Sequence, residues 1–332
     1  MKIQKKNVKN ILPLTPMQEG MLFHYLGQKK KEYLEHLAIY IEGTVEESVF
    51  RKSWNIITAD HDILRTVFRW KGIKKPVQIV LYKKEPKIEV YSQDETLYWD
   101  QSETELKQEI QKRGIELQEE AFYLVLCQYQ KKSSIHLVFH HILMDGWSLG
   151  LLIKQFLAIY HNLITGKKLE QVRYGNFKDY ILAREEMCSP KEEKIYWSKV
   201  LKDYHIKKGV RPLLKDEMET ASKKIEWELP KNLYKEMEQF CQNHCITMAN
   251  LFYSAWGLML QRFNYDTDIV FGTTVSGRNI GIPYIEKTVG LFINTVPLRI
   301  KSEPLQTVLE FVQDVQRECV KRQEFAHTSL NT

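Results

Sequence analysis

The spacing of apolar residues alternates along the chain between the two-residue period of a strand and the longer period of a helix. In the first half, runs rich in β-branched and aromatic residues predict strands, and apolar residues three or four apart predict amphipathic helices. The predicted strands are Leu34–Ile41, Leu64–Trp70, Val77–Tyr82, Phe122–Tyr129 and Ser134–His140. The predicted helices lie within Ile11–Gly27 and at Glu46–Ala59, Ser102–Arg113 and Trp147–Leu163.

The second half repeats this alternation. The predicted helices are Tyr174–Tyr204, Lys231–Cys245, Met248–Phe263 and Leu305–Phe325, and the predicted strands are Lys224–Leu229, Asp268–Val275 and Gly290–Ile300. Strands and helices mixed in both halves predict layers of an α/β fold. The polar segment Gly166–Arg173 predicts a boundary between two lobes, residues 1–172 and 173–332.

Two local signals sharpen this picture. Thr15, Pro16 and Gln18 form the start of a helix, with a capping hydroxyl, a proline at the first helical position and a capping-box glutamine. Phe122–Tyr129 and Ser134–His140 are separated by a short polar turn, so we expect them to pair as a hairpin.

Composition excludes several classes of protein. The 332 residues are 43% hydrophobic, with 48 basic and 42 acidic residues, which is typical of a globular protein. The net charge of +6 is spread along the chain without interleaved aromatics, so we expect no nucleic-acid surface. No segment has a long enough apolar run to span a membrane, and the lysine-rich start does not resemble a signal peptide.

Cysteine usage indicates a reducing compartment. The five cysteines are odd in number, and Cys241 and Cys245 lie four residues apart with no second pair elsewhere. We therefore expect reduced thiols in a cytoplasmic protein, and no metal site.

The candidate chemistry is concentrated in residues 134–148, SIHLVFHHILMDGWS. Successive side chains of a strand point to opposite faces, so His140 and His141 cannot both face one cavity. One is expected in a site and the other in packing. Asp145 is expected either to orient a ring or to hold the turn through an ion pair, and Gly146 to permit an unusual turn before the next helix.

Together, these residues carry a family resemblance. His140, His141, Asp145 and Gly146 form an HHxxxDG motif that resembles the signature of condensation domains of nonribosomal peptide synthetases. This family belongs to the superfamily of CoA-dependent acyltransferases that includes chloramphenicol acetyltransferase. Further segments resemble other motifs of the family, and the resemblance spans residues 11–330: LTPMQEGMLFH from Leu14, the HxxLRTxF pattern from His61, GTTVSGRN and VGLFINTVPLR.

The resemblance implies a fold and a set of site residues. The fold would be two chloramphenicol-acetyltransferase-like lobes forming a V-shaped pseudo-dimer, with a tunnel between them. His141 would project into that tunnel, and Asp145 would be structural and paired with Arg278 of the second lobe. His140, Gly146 and Arg65 would support the motif. Candidate tunnel-lining residues are Trp147, Ser148, Trp197 and Asn294.

The implied reaction is amide formation between two carrier-bound substrates. An aminoacyl amine would attack the thioester of an aminoacyl or peptidyl donor, each delivered on the phosphopantetheine arm of a peptidyl carrier protein. No metal or bound cofactor is expected. His141 would act either as a general base or as a positioning group, with backbone N–H groups near Gly146 polarising the oxyanion. An adjacent adenylation domain is expected, with this chain as a monomeric unit of a larger synthetase.

Other interpretations stay open. A catalytically inert module that docks carrier proteins, a related acyltransferase and an epimerisation domain are the alternatives, as is an unrelated α/β protein with a chance motif. Trp147 after Gly146, and Leu149 after Ser148, favour condensation over epimerisation by resemblance. The family's domains are longer than this chain, so we expect an incomplete second lobe and tunnel.

Overall fold

The computed structural model describes residues 3–27, 32–92, 99–129, 131–187, 189–205 and 225–328. The chain divides into two compact units. The first comprises residues up to Met187 together with Ser276–Asn294, and the second comprises Cys188–Val275 and the residues from Thr295 onward. The sequence placed the boundary after residue 172, whereas the structure keeps the next helix in the first unit.

The described residues of the first unit form two sheets. A three-stranded antiparallel sheet has the order β1-β4-β3, and a four-stranded sheet has the order β2-β7-β6-β5, in which only β5 runs parallel to its neighbour. The strands are β1 (Val8–Pro13), β2 (Leu34–Glu42), β3 (Thr66–Arg69), β4 (Val77–Leu81), β5 (Ile88–Ser92), β6 (Phe122–Tyr129) and β7 (Lys132–His140). The predicted hairpin of β6 and β7 is confirmed, and the edge strands β1 and β5 were not predicted.

In the described part of the first unit, five α-helices accompany these sheets: α1 (Pro16–Leu26), α2 (Glu47–Asp60), α3 (Trp99–Arg113), α4 (Gly146–Ile164) and α5 (Phe177–Met187). The predicted start of α1 is confirmed, since the Gln18 N–H donates to Thr15 Oγ1 at 3.3 Å and the Thr15 N–H donates to Gln18 Oε1 at 3.0 Å. Helix α3 begins at Trp99, three residues before its predicted start at Ser102.

The two faces of the β6–β7 hairpin lie in two different cores. Phe122, Leu124 and Leu126 pack in the main core, whereas Tyr123 and Cys127 join a smaller cluster that includes residues of α3. Strand β7 is therefore buried on both faces over almost its whole length. Its carboxyl end delivers the histidine pair from a rigid element.

The second unit contains α6 (Pro190–Val200), α7 (Lys231–Asn243), α8 (Met248–Asn264) and α9 (Val308–Lys321), with β8 (Asp268–Val275) paired to β9 (Asn294–Lys301). Across the residues the structure describes, none of the helices is both long and apolar enough to cross a membrane.

The predicted single helix Tyr174–Tyr204 is wrong. Helix α5 ends at Met187, and α6 begins at Pro190 after Ser189, whose hydroxyl accepts from the Glu192 N–H at 3.3 Å. A proline at the first helical position, preceded by a capping serine, starts a new helix, because proline cannot donate the backbone bond of a helix interior.

Other predicted boundaries also move. Of the predicted strand Lys224–Leu229, Lys224 lies outside the described residues and the rest forms no strand. Ile225 is 91% exposed and Trp227 is 74% exposed, so their alternation does not reflect a buried sheet face. Strand β9 begins at Asn294 instead of Gly290, because the residues before it pack in the first unit.

The segment Ser276–Asn294 joins the first unit through two glycines at close approaches. A Cβ on Gly277 would lie 2.3 Å from the Phe292 carbonyl oxygen and 2.6 Å from the Tyr180 hydroxyl. A Cβ on Gly290 would lie 2.2 Å from the ring of Phe177. Only glycine fits at these two contacts with α5 and with the segment's own backbone.

We predict that Gly277→Ala destabilises the protein by about 1–3 kcal/mol, because the added methyl group must displace backbone and a buried tyrosine. Urea unfolding measures this change. Gly281→Ala is the matched control, since a Cβ there would meet no described atom within 4 Å. Equal stabilities of the two variants would contradict the close contact of Gly277 with Phe292 and Tyr180.

Candidate active site

His140, the last residue of β7, lies in packing. Its side chain is 1% exposed, and its ring stands edge-on to Tyr25 with centroids 5.5 Å apart. Its Nδ1 accepts the backbone N–H of Ile142 at 3.1 Å, so the neutral ring carries its proton on Nε2. Burial lowers the pKa of His140 to about 4, and the neighbouring His141 adds to that shift.

His141 lies in the turn that follows β7 and is only half-buried. Its backbone N–H donates to the Tyr33 carbonyl at 2.8 Å, which fixes the start of the turn. Within the described part of the chain, its ring Nδ1 is shielded and has no hydrogen-bond partner. The turn, rather than strand alternation alone, therefore orients this ring. Of the two histidines, only His141 is accessible enough to contact a substrate.

Asp145 is buried and receives three hydrogen bonds from different parts of the first unit. Its Oδ1 accepts the Ser148 N–H at 2.9 Å, which caps α4. Its Oδ2 accepts the Phe292 N–H at 3.0 Å, and its Oδ1 accepts from Arg278 Nη2 at 3.3 Å. The carboxylate thus holds the helix start, the turn after His141 and the segment Ser276–Asn294 together.

The predicted ion pair of Asp145 with Arg278 is confirmed as a contact, but Arg278 lies in the same compact unit as Asp145. The guanidinium also donates from Nη1 to the carbonyls of Ile285 and Thr288, at 2.6 and 2.9 Å, and stacks on Phe292 at 3.9 Å. Burial lowers the pKa of Arg278, and the adjacent carboxylate opposes that shift. Arg278 therefore shapes the segment around it as well as balancing the charge of Asp145.

Ser148 and Trp147 extend this network. The buried Ser148 hydroxyl donates to the Gly290 carbonyl at 2.8 Å and accepts from Arg278 Nη2 at 2.8 Å. Trp147 is 60% exposed, and its indole N–H donates to the Glu286 carbonyl at 3.1 Å. Of these two candidate tunnel-lining residues, Ser148 is enclosed by protein and Trp147 presents a surface.

The expectation of an unusual turn at Gly146 is wrong. Gly146 is the first residue of α4, and it is not among the residues with positive φ. A Cβ at this position would meet no atom of the described chain within 4 Å. The glycine leaves open space beside the exposed start of α4, and no backbone conformation requires it.

Comparison with known proteins decides the family. A sequence model described as the condensation domain matches residues 8–331 of this chain. The chain belongs to the condensation-domain family. It is 32% identical to surfactin synthase subunit 2 of Bacillus subtilis (strain 168) and 32% identical to tyrocidine synthase 2 of Brevibacillus parabrevis. The two alignments cover 99% and 98% of this chain, but only 9% of each of those relatives.

Solved structures agree on the fold. The first condensation domain of the calcium-dependent antibiotic synthetase, in complex with a substrate analogue, superposes with a TM-score of 0.74 at 16% identity, covering 97% of this chain and 76% of that one. The epimerisation domain from the third module of tyrocidine synthetase B superposes with a TM-score of 0.80 at 17% identity, covering 99% and 78%. The predicted α/β fold of condensation domains is thereby confirmed.

Arg65 of the condensation domain is a buried structural residue. It forms an ion pair with Asp62, and its Nε donates to the Leu81 carbonyl at 3.0 Å. Its Nη1 donates to the carbonyls of Ala59 and Thr58 at the end of α2. These bonds tie the end of α2 to β4, and support of the histidine motif by Arg65 stays a prediction.

The remaining two candidates lie elsewhere in the condensation domain. Trp197 is half-buried on α6 of the second unit, edge-on to Tyr196 with centroids 5.0 Å apart. Asn294 is buried at the junction of Ser276–Asn294 with β9. The tunnel-lining role of both residues stays a prediction.

Sequence reasoning missed the main-chain groups that complete the network. The backbone of Gly290 bonds to Asp145 and Ser148, and the Phe292 N–H bonds to Asp145. Such donors carry no side-chain signature. The available signal was Gly290 itself, because a glycine before an apolar run indicates a close backbone approach.

We predict that Asp145→Asn and Arg278→Gln each destabilise the condensation domain by about 3–5 kcal/mol, since each leaves a buried charge or donor without its partner. An asparagine at position 145 would also place its amide N–H₂ against a backbone N–H donor, Ser148 or Phe292, that now bonds to the carboxylate. The double variant should cost less than the sum of the single ones. Denaturant unfolding measures all three.

The control for this cycle is Arg51→Gln, which removes an exposed ion pair with Glu47 and should cost at most about 0.5 kcal/mol. Fully additive losses for Asp145 and Arg278 would show that the two side chains do not depend on each other.

We predict that acid weakens the condensation domain between about pH 6.5 and 4. Unfolded His140 takes up a proton near its ordinary pKa of 6.5, whereas the buried ring resists protonation down to a pKa of about 4. Over this window the unfolded state binds more protons, so stability falls as pH falls, by about 1.4 kcal/mol per pH unit from this group.

His140→Gln should reduce the slope of unfolding free energy against pH by about 1.4 kcal/mol per pH unit, the contribution of one proton. This holds whatever the substitution does to the stability at a single pH. Urea unfolding across the same pH window measures both slopes. An unchanged slope would mean that His140 is not kept neutral by the fold.

Proposed function

We propose that this condensation domain forms the amide bond between a donor thioester and an acceptor amine, each held on the phosphopantetheine arm of a peptidyl carrier protein. The observation that supports this most is the state of the histidine pair. His141 is accessible while His140 and Asp145 beside it are fully buried and hydrogen-bonded. A reactive ring on a rigid support is the arrangement that catalysis in a fixed geometry requires.

In the proposed reaction, the amine nitrogen attacks the thioester carbonyl carbon, and the carbon–sulfur bond breaks as the amide forms. The amine loses one proton, and the departing thiolate takes one up. The His141 ring either accepts the amine proton or accepts a hydrogen bond that holds the amine for attack. An α-amino group has a pKa of about 8, so a fraction is already neutral at pH 7 and positioning alone is sufficient in principle.

Asp145 acts in this scheme as a positioning residue. Its carboxylate caps α4 and is occupied by Ser148, Phe292 and Arg278, so it does not act on a substrate. Its negative charge offsets the positive end of the α4 dipole. Polarisation of an oxyanion by the N–H groups near Gly146 is therefore weaker than the sequence alone suggested.

The proposed reaction uses no metal or bound cofactor, because the thioester supplies the driving force. The partners would be the donor and acceptor carrier proteins and an adjacent adenylation domain. The two synthases named above are many times longer than this chain. We propose that this domain acts as one unit of such a synthetase in the cytoplasm.

Two other functions can be separated by assay. A module that only docks carriers would bind loaded carriers and form no amide. An epimerisation domain would exchange the α-hydrogen of a carrier-bound residue with solvent, again without amide product. Amide product from two separately loaded carriers supports condensation over both.

We predict that His141→Ala lowers the rate of amide formation from loaded donor and acceptor carriers by roughly 10²–10⁴-fold, which is the usual contribution of a general base. Folding should be preserved, because the ring is only half-buried. The control is His161→Ala, an exposed histidine near the far end of α4, which should keep wild-type turnover.

Near wild-type turnover of a folded His141→Ala variant would contradict the proposal, as would a wild-type protein that binds loaded carriers without product. His141→Asn then separates the two roles of the ring. The asparagine retains a hydrogen-bond acceptor that does not titrate. Activity above that of His141→Ala, with a flat pH profile, would indicate that the ring positions the amine. Activity as low as that of His141→Ala would indicate base catalysis.

A further inference from the structure

A second group of titratable side chains lies outside the histidine motif, between α3 and the four-stranded sheet. Glu103 of α3, Cys127 of β6 and His136 of β7 are all buried. Each offers one donor atom, and the three atoms lie within 4.8 Å of one another. None of these residues belongs to the network around Asp145.

Sheet register brings the three donors together. Cys127 pairs directly with Ser134 across the β6–β7 hairpin. His136 lies two residues beyond Ser134 on the same strand, so it projects from the same face. Residues of α3 pack in the same small cluster as Cys127, and Glu103 of α3 contacts Ser134 and His136 on that face.

The polar contacts within this group are short but incomplete. The Ser134 hydroxyl lies 2.6 Å from Glu103 Oε1 and 2.8 Å from His136 Nε2. Glu103 is only 4% exposed, and its second oxygen, Oε2, has no hydrogen-bond partner among the described residues. A buried carboxylate oxygen without a donor is costly, so this atom points to a cation as its partner.

We propose that Glu103, Cys127 and His136 bind one Zn²⁺ ion that fastens α3 to the four-stranded sheet. This site is independent of the condensation reaction. Its ligands come from a helix and two strands of the first unit, so the ion would act structurally.

The donor set and its spacing fit this ion. Zinc takes cysteine sulfur, histidine nitrogen and carboxylate oxygen in tetrahedral geometry, with nitrogen and oxygen each about 2.0–2.1 Å from the metal. Two such ligands lie about 3.3 Å apart in a tetrahedron. The observed distance from His136 Nε2 to Glu103 Oε1 is 3.4 Å, and a half-turn of the carboxylate about its last bond would bring the unpartnered Oε2 to the same place. The Ser134 hydroxyl lies at hydrogen-bond distance from both donors, so a water molecule held by this hydroxyl would supply the fourth oxygen.

A second histidine, His36, contacts the ring of His136 on the side away from the proposed metal. His36 Nε2 lies 2.9 Å from His136 Nδ1, the nitrogen that would not bind the metal. A ligating histidine commonly donates its other N–H to such a partner, which fixes the tautomer. Thiolate and imidazole together favour zinc over magnesium or calcium, which prefer oxygen ligands.

Binding of Zn²⁺ would leave no unbalanced charge in this buried site. The Cys127 side chain is buried, and an unliganded buried cysteine keeps its proton as a thiol. Zinc displaces that proton, and the resulting thiolate and the Glu103 carboxylate balance its two positive charges. The sulfur–hydrogen bond of Cys127 therefore breaks, a sulfur–zinc bond forms, and one proton is released to solvent.

The test uses the whole chain, stripped of metal with a chelator and titrated with Zn²⁺ and with Co²⁺. Wild-type protein should bind one equivalent of Zn²⁺ and show the charge-transfer absorption of a cobalt–thiolate bond. Bound Zn²⁺ should also raise the melting temperature, by mass action on the folded state.

Variants locate the site. Cys127→Ser should abolish the cobalt–thiolate absorption, whereas Cys319→Ser, at a buried cysteine in the second unit, should leave it unchanged. Glu103→Gln should keep the absorption and weaken affinity at least tenfold. His36→Phe should weaken affinity by about 10–100-fold through the lost outer contact.

Two results would overturn the proposal. One is metal-free wild-type protein that takes up no Zn²⁺ or Co²⁺ beyond the level of a folded Cys127→Ser variant. The other is a cobalt–thiolate absorption that survives in that variant. If Cys127→Ser does not fold, an affinity unchanged in both Glu103→Gln and His36→Phe would overturn it equally.

Discussion

The carboxylate of Asp145 holds three parts of the first unit in one arrangement. A buried charge is expensive unless it is neutralised and hydrogen-bonded, and this one is both, through Arg278 and two backbone N–H groups. Its bonds to the Ser148 and Phe292 N–H groups hold the start of α4 against the segment Ser276–Asn294. The turn that carries His141 lies between β7 and this carboxylate, so the ring's position depends on a residue that never needs to touch substrate.

The histidine pair shows how one motif separates support from chemistry. His140 ends a strand that is buried on both faces, and desolvation keeps its ring neutral, so it has a packing role at any ordinary pH. His141 comes one residue later, after the strand has ended, and is more exposed. A difference of one residue thereby divides the two rings between the core and the surface.

Much of this could be predicted from sequence, and the exceptions have physical reasons. Strong apolar periodicity located α2, α4, β6 and β7, and the family resemblance predicted the contact of Asp145 with Arg278. The break between α5 and α6 was missed although Ser189 and Pro190 signal it, because aromatic residues continue at helical spacing on both sides. Ile225 and Trp227 suggested a strand by propensity, yet propensity counts only where a neighbouring strand exists to bury the face.

The return of Ser276–Asn294 to the first unit makes that unit discontinuous along the chain. A fragment that ended near Met187 would keep the histidine motif but lose Arg278, Gly290 and Phe292. The same applies to recombination between related synthetases. After a crossover placed anywhere from residue 188 to residue 275, Asp145 would come from one parent synthetase and its partner Arg278 from the other. Parents to be exchanged should therefore be matched at both segments, or the short segment should be transplanted along with the first 187 residues.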